Sequence, residues 1–115
     1  MADPAELPEE APDNGCARGT RLRVEPGGRV GEFVVGGEID LSNADDLRAV
    51  LESVRSPSLR IDLCDVRYLD SAGIAVLFDQ GHKDLHLRVR ADSAVAKVIG
   101  ISGLTHIARV EFLAG

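Results

Sequence analysis

The stretch Asp62 to Phe78, reading DLCDVRYLDSAGIAVLF, changes character in its middle. Before it lies a short apolar strand, Leu59 to Leu63. After it, Ile74, Leu77, Phe78 and Gly81 fall at i, i+3, i+4 and i+7, the spacing of one helix face. A strand therefore feeds a helix through the turn Asp70-Ser71-Ala72-Gly73. Ser71 is placed at or beside the first turn. Backbone N–H groups at such a position can hold an anion, and the helix dipole favours negative charge there. A serine hydroxyl there either caps the helix or carries a phosphate.

The rest of the chain repeats this alternation. Thr20 to Glu25 alternates Leu22 and Val24 with Arg21, Arg23 and Glu25, a half-exposed strand. Pro26-Gly27-Gly28 signals a turn, and Glu32 to Gly36 reads as a second strand paired with the first in a hairpin. Gly37 to Leu41 is expected to be a loop ending at a helix start. Ser42 with Asp45 three residues on reads as a variant capping box. The helix that follows carries Ala44, Leu47, Leu51 and Val54 on one stripe and stops before Ser56-Pro57. Leu85 to Val89 is the fourth strand. Ser93 opens a helix with Val95, Val98, Ile99 and Ser102 in register, and Gly103 suits its stop. Ile107 to Phe112 is the last strand. The order ββαβαβαβ predicts an α/β domain with a mixed sheet of about five strands. Strand–helix–strand units imply right-handed crossovers and parallel pairs. Three helices and an opening hairpin place the helices mainly on one face, with the other partly solvated.

Length sets the scale: 115 residues suit one domain with a real core. Residues 1 to 18, rich in Pro, Ala and acids, read as a flexible acidic tail, leaving 19 to 115 as the domain. Aromatics make up only 3%, so Val, Leu, Ile and Ala must fill the core. The net charge of -6 argues against unaided binding to nucleic acid or an anionic membrane, because both need a basic face. No apolar run reaches the roughly 18 residues of a membrane span, and the acidic start is no signal peptide, so a cytoplasmic chain is expected. Two cysteines, Cys16 and Cys64, read as reduced thiols, with Cys64 as a small hydrophobe; a redox bridge to the tail is the other reading.

Enzyme chemistry finds little support. A serine nucleophile needs a base within about 3 Å. His82 is eleven residues after Ser71, roughly 16 Å along a helix axis. His86 and His106 belong to or beside other strands. The elbow pattern G-x-S-x-G is missing, since Leu69 stands two before Ser71. Neither G-x-G-x-x-G nor a Walker pattern occurs, so no cofactor is expected. Asp40, Asp65 and Asp70 suit helix capping and loop hydrogen bonds better than a metal. Recognition remains: Ala72, Gly73 and Ala75 are small enough for a partner's backbone to come close, and a charge on Ser71 would sit inside that contact.

Leu69-Asp70-Ser71-Ala72-Gly73-Ile74 resembles the D-S-[SA]-G-[LI] signature of STAS domains, specifically bacterial anti-sigma factor antagonists. Gly37-Glu38-Ile39-Asp40 resembles the family's G-E-[LI]-D. Ser93-Ala94-Val95 through Ser102-Gly103-Leu104 resembles its S-x-x-V…[ST]-G-L pattern, and Asp62-Leu63 its D-L. The resemblance runs in order over roughly residues 20 to 113. It implies a protein that is no enzyme itself. Such an antagonist binds an anti-sigma factor, usually also a serine kinase, and so releases a sigma factor. Phosphorylation of the matching serine, Ser71, would end binding, and a phosphatase would restore it. Partner contact would involve Asp40, Asp70, Ser71, Ala72, Gly73 and Ala75, with Asp40 and Asp70 flanking the phosphoacceptor. No nucleic acid or membrane is implied, and a monomer or weak dimer is expected. Two departures stand out. Ala72 replaces a second serine common in the family, and Gly100 stands where longer side chains are usual. A STAS scaffold or transport accessory subunit without a phosphorylation cycle is the alternative.

Overall fold

The computed structural model describes residues 22–114. The elements run β1 (Arg23–Pro26), β2 (Glu32–Ile39), α1 (Ala44–Glu52), β3 (Ser58–Leu69), α2 (Ser71–Asp79), β4 (Asp84–Arg90), α3 (Ala94–Ser102), a 3-10 turn (Leu104–His106) and β5 (Arg109–Leu113). One five-stranded sheet has the order β1-β2-β3-β4-β5. β1 pairs antiparallel with β2, and the remaining pairs are parallel. The expected mixed sheet and element order are therefore present. The tail and Cys16 lie outside the described residues.

Sequential order settles where the helices go. Each crossover steps one strand in the same direction, and right-handed crossovers then place all three helices on one face. Leu59, Ile61, Leu63, Leu85, Leu87 and Val89 point to that face and are buried, with Leu47, Leu51, Leu77 and Ile99 covering them from the helices. The intervening residues Arg60, Asp62, His86 and Arg88 take the other face, as period-2 alternation requires. Arg88 there lies 3.8 Å from Asp62 and 3.4 Å from Glu111.

Several local expectations are corrected. Gly37 to Ile39 is strand, not loop: β2 continues to Ile39 by absorbing register shifts between Val34/Gly36 and Gly37/Glu38. β3 runs to Leu69 rather than Leu63, because β2 goes on pairing with it. The capping box does not form. Asn43 is the N-cap of α1 and makes no side-chain cap bond, while Ser42 turns back to Asp40. The C-terminal end of α1 is bridged instead by Lys83, whose Nζ donates to the carbonyls of Leu51 (3.2 Å) and Val54 (3.3 Å). On α2 the inward stripe is Gly73, Val76, Leu77 and Gln80, and Phe78 is exposed. α3 is N-capped by Ser93, runs through Gly100, and ends at a left-handed Gly103 with φ 93°. A 3-10 turn then precedes a β5 that begins at Arg109 rather than Ile107.

Candidate functional site

Ile39 and Leu69 are register partners at the ends of two neighbouring parallel strands. The N–H of Asp70 donates to the carbonyl of Ile39 at 3.2 Å, tying the two exits together. Asp40 and Asp70 thus leave adjacent strands at the same level, followed by Leu41 and Ser71. This is the carboxyl end of the parallel sheet, where α/β folds commonly place their sites.

Each aspartate is held by local bonds. Asp40 Oδ1 accepts from the N–H of Ser42 (2.9 Å) and from its hydroxyl (2.5 Å). The N–H of Asp40 donates to Asn43 Oδ1 (3.0 Å), and Asn43 Nδ2 donates to the Glu38 carbonyl (2.9 Å). Asn43 therefore fixes the loop to the end of β2, a role the helix-start reading of this segment missed. Asp70 Oδ1 accepts from the N–H groups of Ala72 (2.9 Å) and Gly73 (3.2 Å).

That last pair changes the chemistry expected at Ser71. Asp70, not Ser71, caps α2, and its carboxylate already occupies the amides that would otherwise hold an anion. Ser71 is the first helical residue and is exposed. A phosphate placed on it would meet a fixed carboxylate rather than a vacant amide cradle.

The small residues divide by burial. Ala75 is exposed and Ala72 half-buried. Gly73 is buried, and a Cβ there would come within 2.7 Å of Ile39 Cγ2. Its size serves the packing of α2 onto the strand ends, so the accessible part of this group is Ser71, Ala72 and Ala75. Leu41 (81% exposed) and Tyr68 (47% exposed) border the same end, and neither drew notice in the sequence because single apolar residues in loops and strand ends carry no pattern.

The histidines stand elsewhere. His86 is in register with Arg60, nine residues before Leu69, roughly 30 Å along the strand from the Ser71 end. His82 bonds the Asp79 carbonyl at 2.9 Å, beyond the far end of α2. Asp40, Asp65 and Asp70 do not form a metal cluster among the described residues. No helix among the described residues is long and apolar enough to cross a membrane. Cys64 is half-buried on the helix-free face. Partial burial, and then the neighbouring Asp62, push its thiol up to about 11.

Residues 23–113 match the family described as Mlab, STAS domain. No curated protein matches the sequence. Among solved structures, the chain is similar to an anti-sigma factor antagonist from Mycobacterium paratuberculosis, with TM-score 0.63 and 26% identity over 79% of this chain and 84% of that one. It is also similar in fold to the anti-sigma factor antagonist SpoIIAA in its unphosphorylated form, with TM-score 0.61 and 17% identity over 78% and 87% of the two chains.

Proposed function

The chain belongs to the STAS-domain family, and on that premise we propose that it is an anti-sigma factor antagonist switched off by phosphorylation of Ser71. Its partner is an anti-sigma factor that is also a serine kinase, a phosphatase resets it, and the cycle runs in the cytoplasm to control transcription under stress. The supporting observation is the division of labour at the start of α2. Asp70 caps the helix, leaving Ser71 exposed on the outward face. Similarity to an antagonist of known structure supports the same reading.

The switch follows from charge. Phosphate adds nearly two negative charges beside the fixed Asp70 carboxylate, with Asp40 on the adjacent strand exit. Burying them unpaired under a partner costs about 3–5 kcal/mol, or roughly 10²–10³ in affinity at 1.4 kcal/mol per tenfold. The fold need not change.

Two measurements test this. Site-resolved mass spectrometry on the protein from its own cells should find phosphate on Ser71, with occupancy that shifts under stress. Ser71→Glu should weaken anti-sigma factor binding by about 100-fold while Ser71→Ala binds like the parent. Equal affinity in a Ser71→Glu protein with unaltered circular dichroism would sink the proposal. The second reading is the STAS scaffold or transport accessory subunit, favoured by a matching family that is described as Mlab rather than as an antagonist. Co-purification of a membrane ATPase in place of an anti-sigma factor would establish it.

A further inference from the structure

Independently of that reading, we propose that the acidic segment 1–18 docks on the helix-free face of the sheet. Its seat is a row of basic residues that the acids around it leave unmatched.

Parallel register sets residues of neighbouring strands side by side, pointing the same way. Glu32 pairs with Arg60, Arg60 with His86, and His86 with Arg109. Arg60, His86 and Arg109 therefore stand abreast on three adjacent strands, on the face away from the helices. Basic residues so aligned disfavour one another unless an anion joins them. The acids nearby are committed elsewhere. Asp62 and Glu111 flank Arg88 in the next row, at 3.8 and 3.4 Å. Asp84 lies 3.5 Å from His86 on its own strand. Glu32 turns toward the β1–β2 turn, where a Cβ on Gly28 would stand 3.8 Å from its Oε1. Among the described residues no carboxylate pairs with Arg60 or Arg109, and both are exposed. A dish of about 340 Å³ follows the row, lined from Gly28 to Arg109. Phe33 packs against the core, so the dish offers charge rather than a ring to stack on.

Charge and reach identify the occupant. Residues 1–18 carry Asp3, Glu6, Glu9, Glu10 and Asp13 against Arg18 alone. The described chain starts at Leu22, beside Arg23, whose register partner is Gly36. From there His86 lies three strands across, and four residues back along β2 at the level of Glu32. That diagonal is roughly 20 Å, at about 4.8 Å per strand and 3.3 Å per residue. Asp13 is nine residues before Leu22 and Glu9 thirteen, so the chain can span up to about 30 and 43 Å. A tether of this length gives an effective concentration on the order of millimolar, at which exposed ion pairs, each weak alone, hold together. Cys16 then comes near Cys64, on the same face two strands from β1.

The test uses the full chain with Cys64→Ser, which leaves Cys16 as the single thiol for a nitroxide label. Paramagnetic broadening of amide signals reports what the label approaches. At low salt the amides of Arg60, Asp62 and His86 should broaden, and that of Val50 should not. Val50 is the control because it lines a hollow with Leu22 on the helix side. The broadening should be lost in about 1 M salt, where the screening length is about 3 Å. It should also be lost in Glu9→Gln/Glu10→Gln/Asp13→Asn, which alters no described residue, and in Arg60→Gln/Arg109→Gln. Equal broadening of Val50 and His86 overturns the docking, and so does broadening that survives either set of substitutions. Broadening of an isotope-labelled chain without nitroxide, mixed with the spin-labelled one, also overturns it by making the contact one between two copies.

Discussion

Gln80 is 0% exposed, and neither its side-chain nitrogen nor its oxygen finds a partner among the described residues. A buried amide left unpaired costs about 1–3 kcal/mol per group. Met has similar length and no polar head, and it adapts to irregular gaps. Gln80→Met should therefore raise stability by about 1–2 kcal/mol, read from urea unfolding. A loss of stability would show that the amide is satisfied in solution. Cys64 gives a pH prediction. Its thiol is raised from 9.0 to about 11 in the folded chain, chiefly by partial burial and then by Asp62. The folded state holds its proton longer than the unfolded state, so this stabilisation is complete below pH 9 and fades as pH rises through 11. Thermal unfolding of the parent should fall more steeply over that window than that of Cys64→Ser. Identical slopes would place the thiol in an ordinary environment.

At the scale of elements, α3 contains a glycine it does not need. Gly100 is exposed within the helix, and an added Cβ would meet nothing within 4 Å. Gly100→Ala should stabilise the protein by about 0.5–1 kcal/mol, by reducing the backbone freedom of the unfolded chain. A drop in the urea midpoint would mean that the helix frays at Gly100 in solution. α1 shows the reverse case, an element finished from outside. It has no side-chain N-cap bond, and its last carbonyls are met by Lys83, some thirty residues later in the chain. The Arg48–Asp79 pair then joins α1 to α2, the two helices whose N-terminal ends frame Asp40 and Asp70.

The whole molecule is a sheet with one covered face and one open face. The covered face is aliphatic: Ile61, Leu63, Leu85 and Leu87 are each at most 1% exposed. The open face is charged, with Arg88 within 4 Å of both Asp62 and Glu111. Truncation should therefore cost very different amounts on adjacent strands. Ile61→Ala should lose about 2–5 kcal/mol through transfer and cavity terms. Arg88→Ala should lose under about 1 kcal/mol, because half-exposed ion pairs are screened. Comparable losses from the two changes would mean that the open face is covered in solution.

The alternation of strand and helix patterns was enough to order the elements, but it was the spatial strand order β1-β2-β3-β4-β5, stepping every right-handed crossover in one direction, that left all three helices on one face. Leu47, Leu51, Val95 and Ile99 were legible as core because a helix repeats its inward face every three to four residues. The D-S-A-G turn was legible as a site because a strand must hand over to a helix there. Other features had no local cause. β2 and β3 extend to Ile39 and Leu69 because they pair with each other, and pairing between strands leaves no period in either one. The spacing groups Phe78 with Ile74, Leu77 and Gly81, yet Leu77 is buried and Phe78 lies outward, since Gly73, Val76 and Gln80 define an equally good stripe that only the strand ends select. Whether Asp70 or Ser71 caps α2 was undecidable from residue types, as both are favoured caps. The N–H of Asp70 bonds to Ile39 of the neighbouring strand, and α2 begins at the very next residue. Asp70 is thereby the cap, and Ser71 is left on the surface.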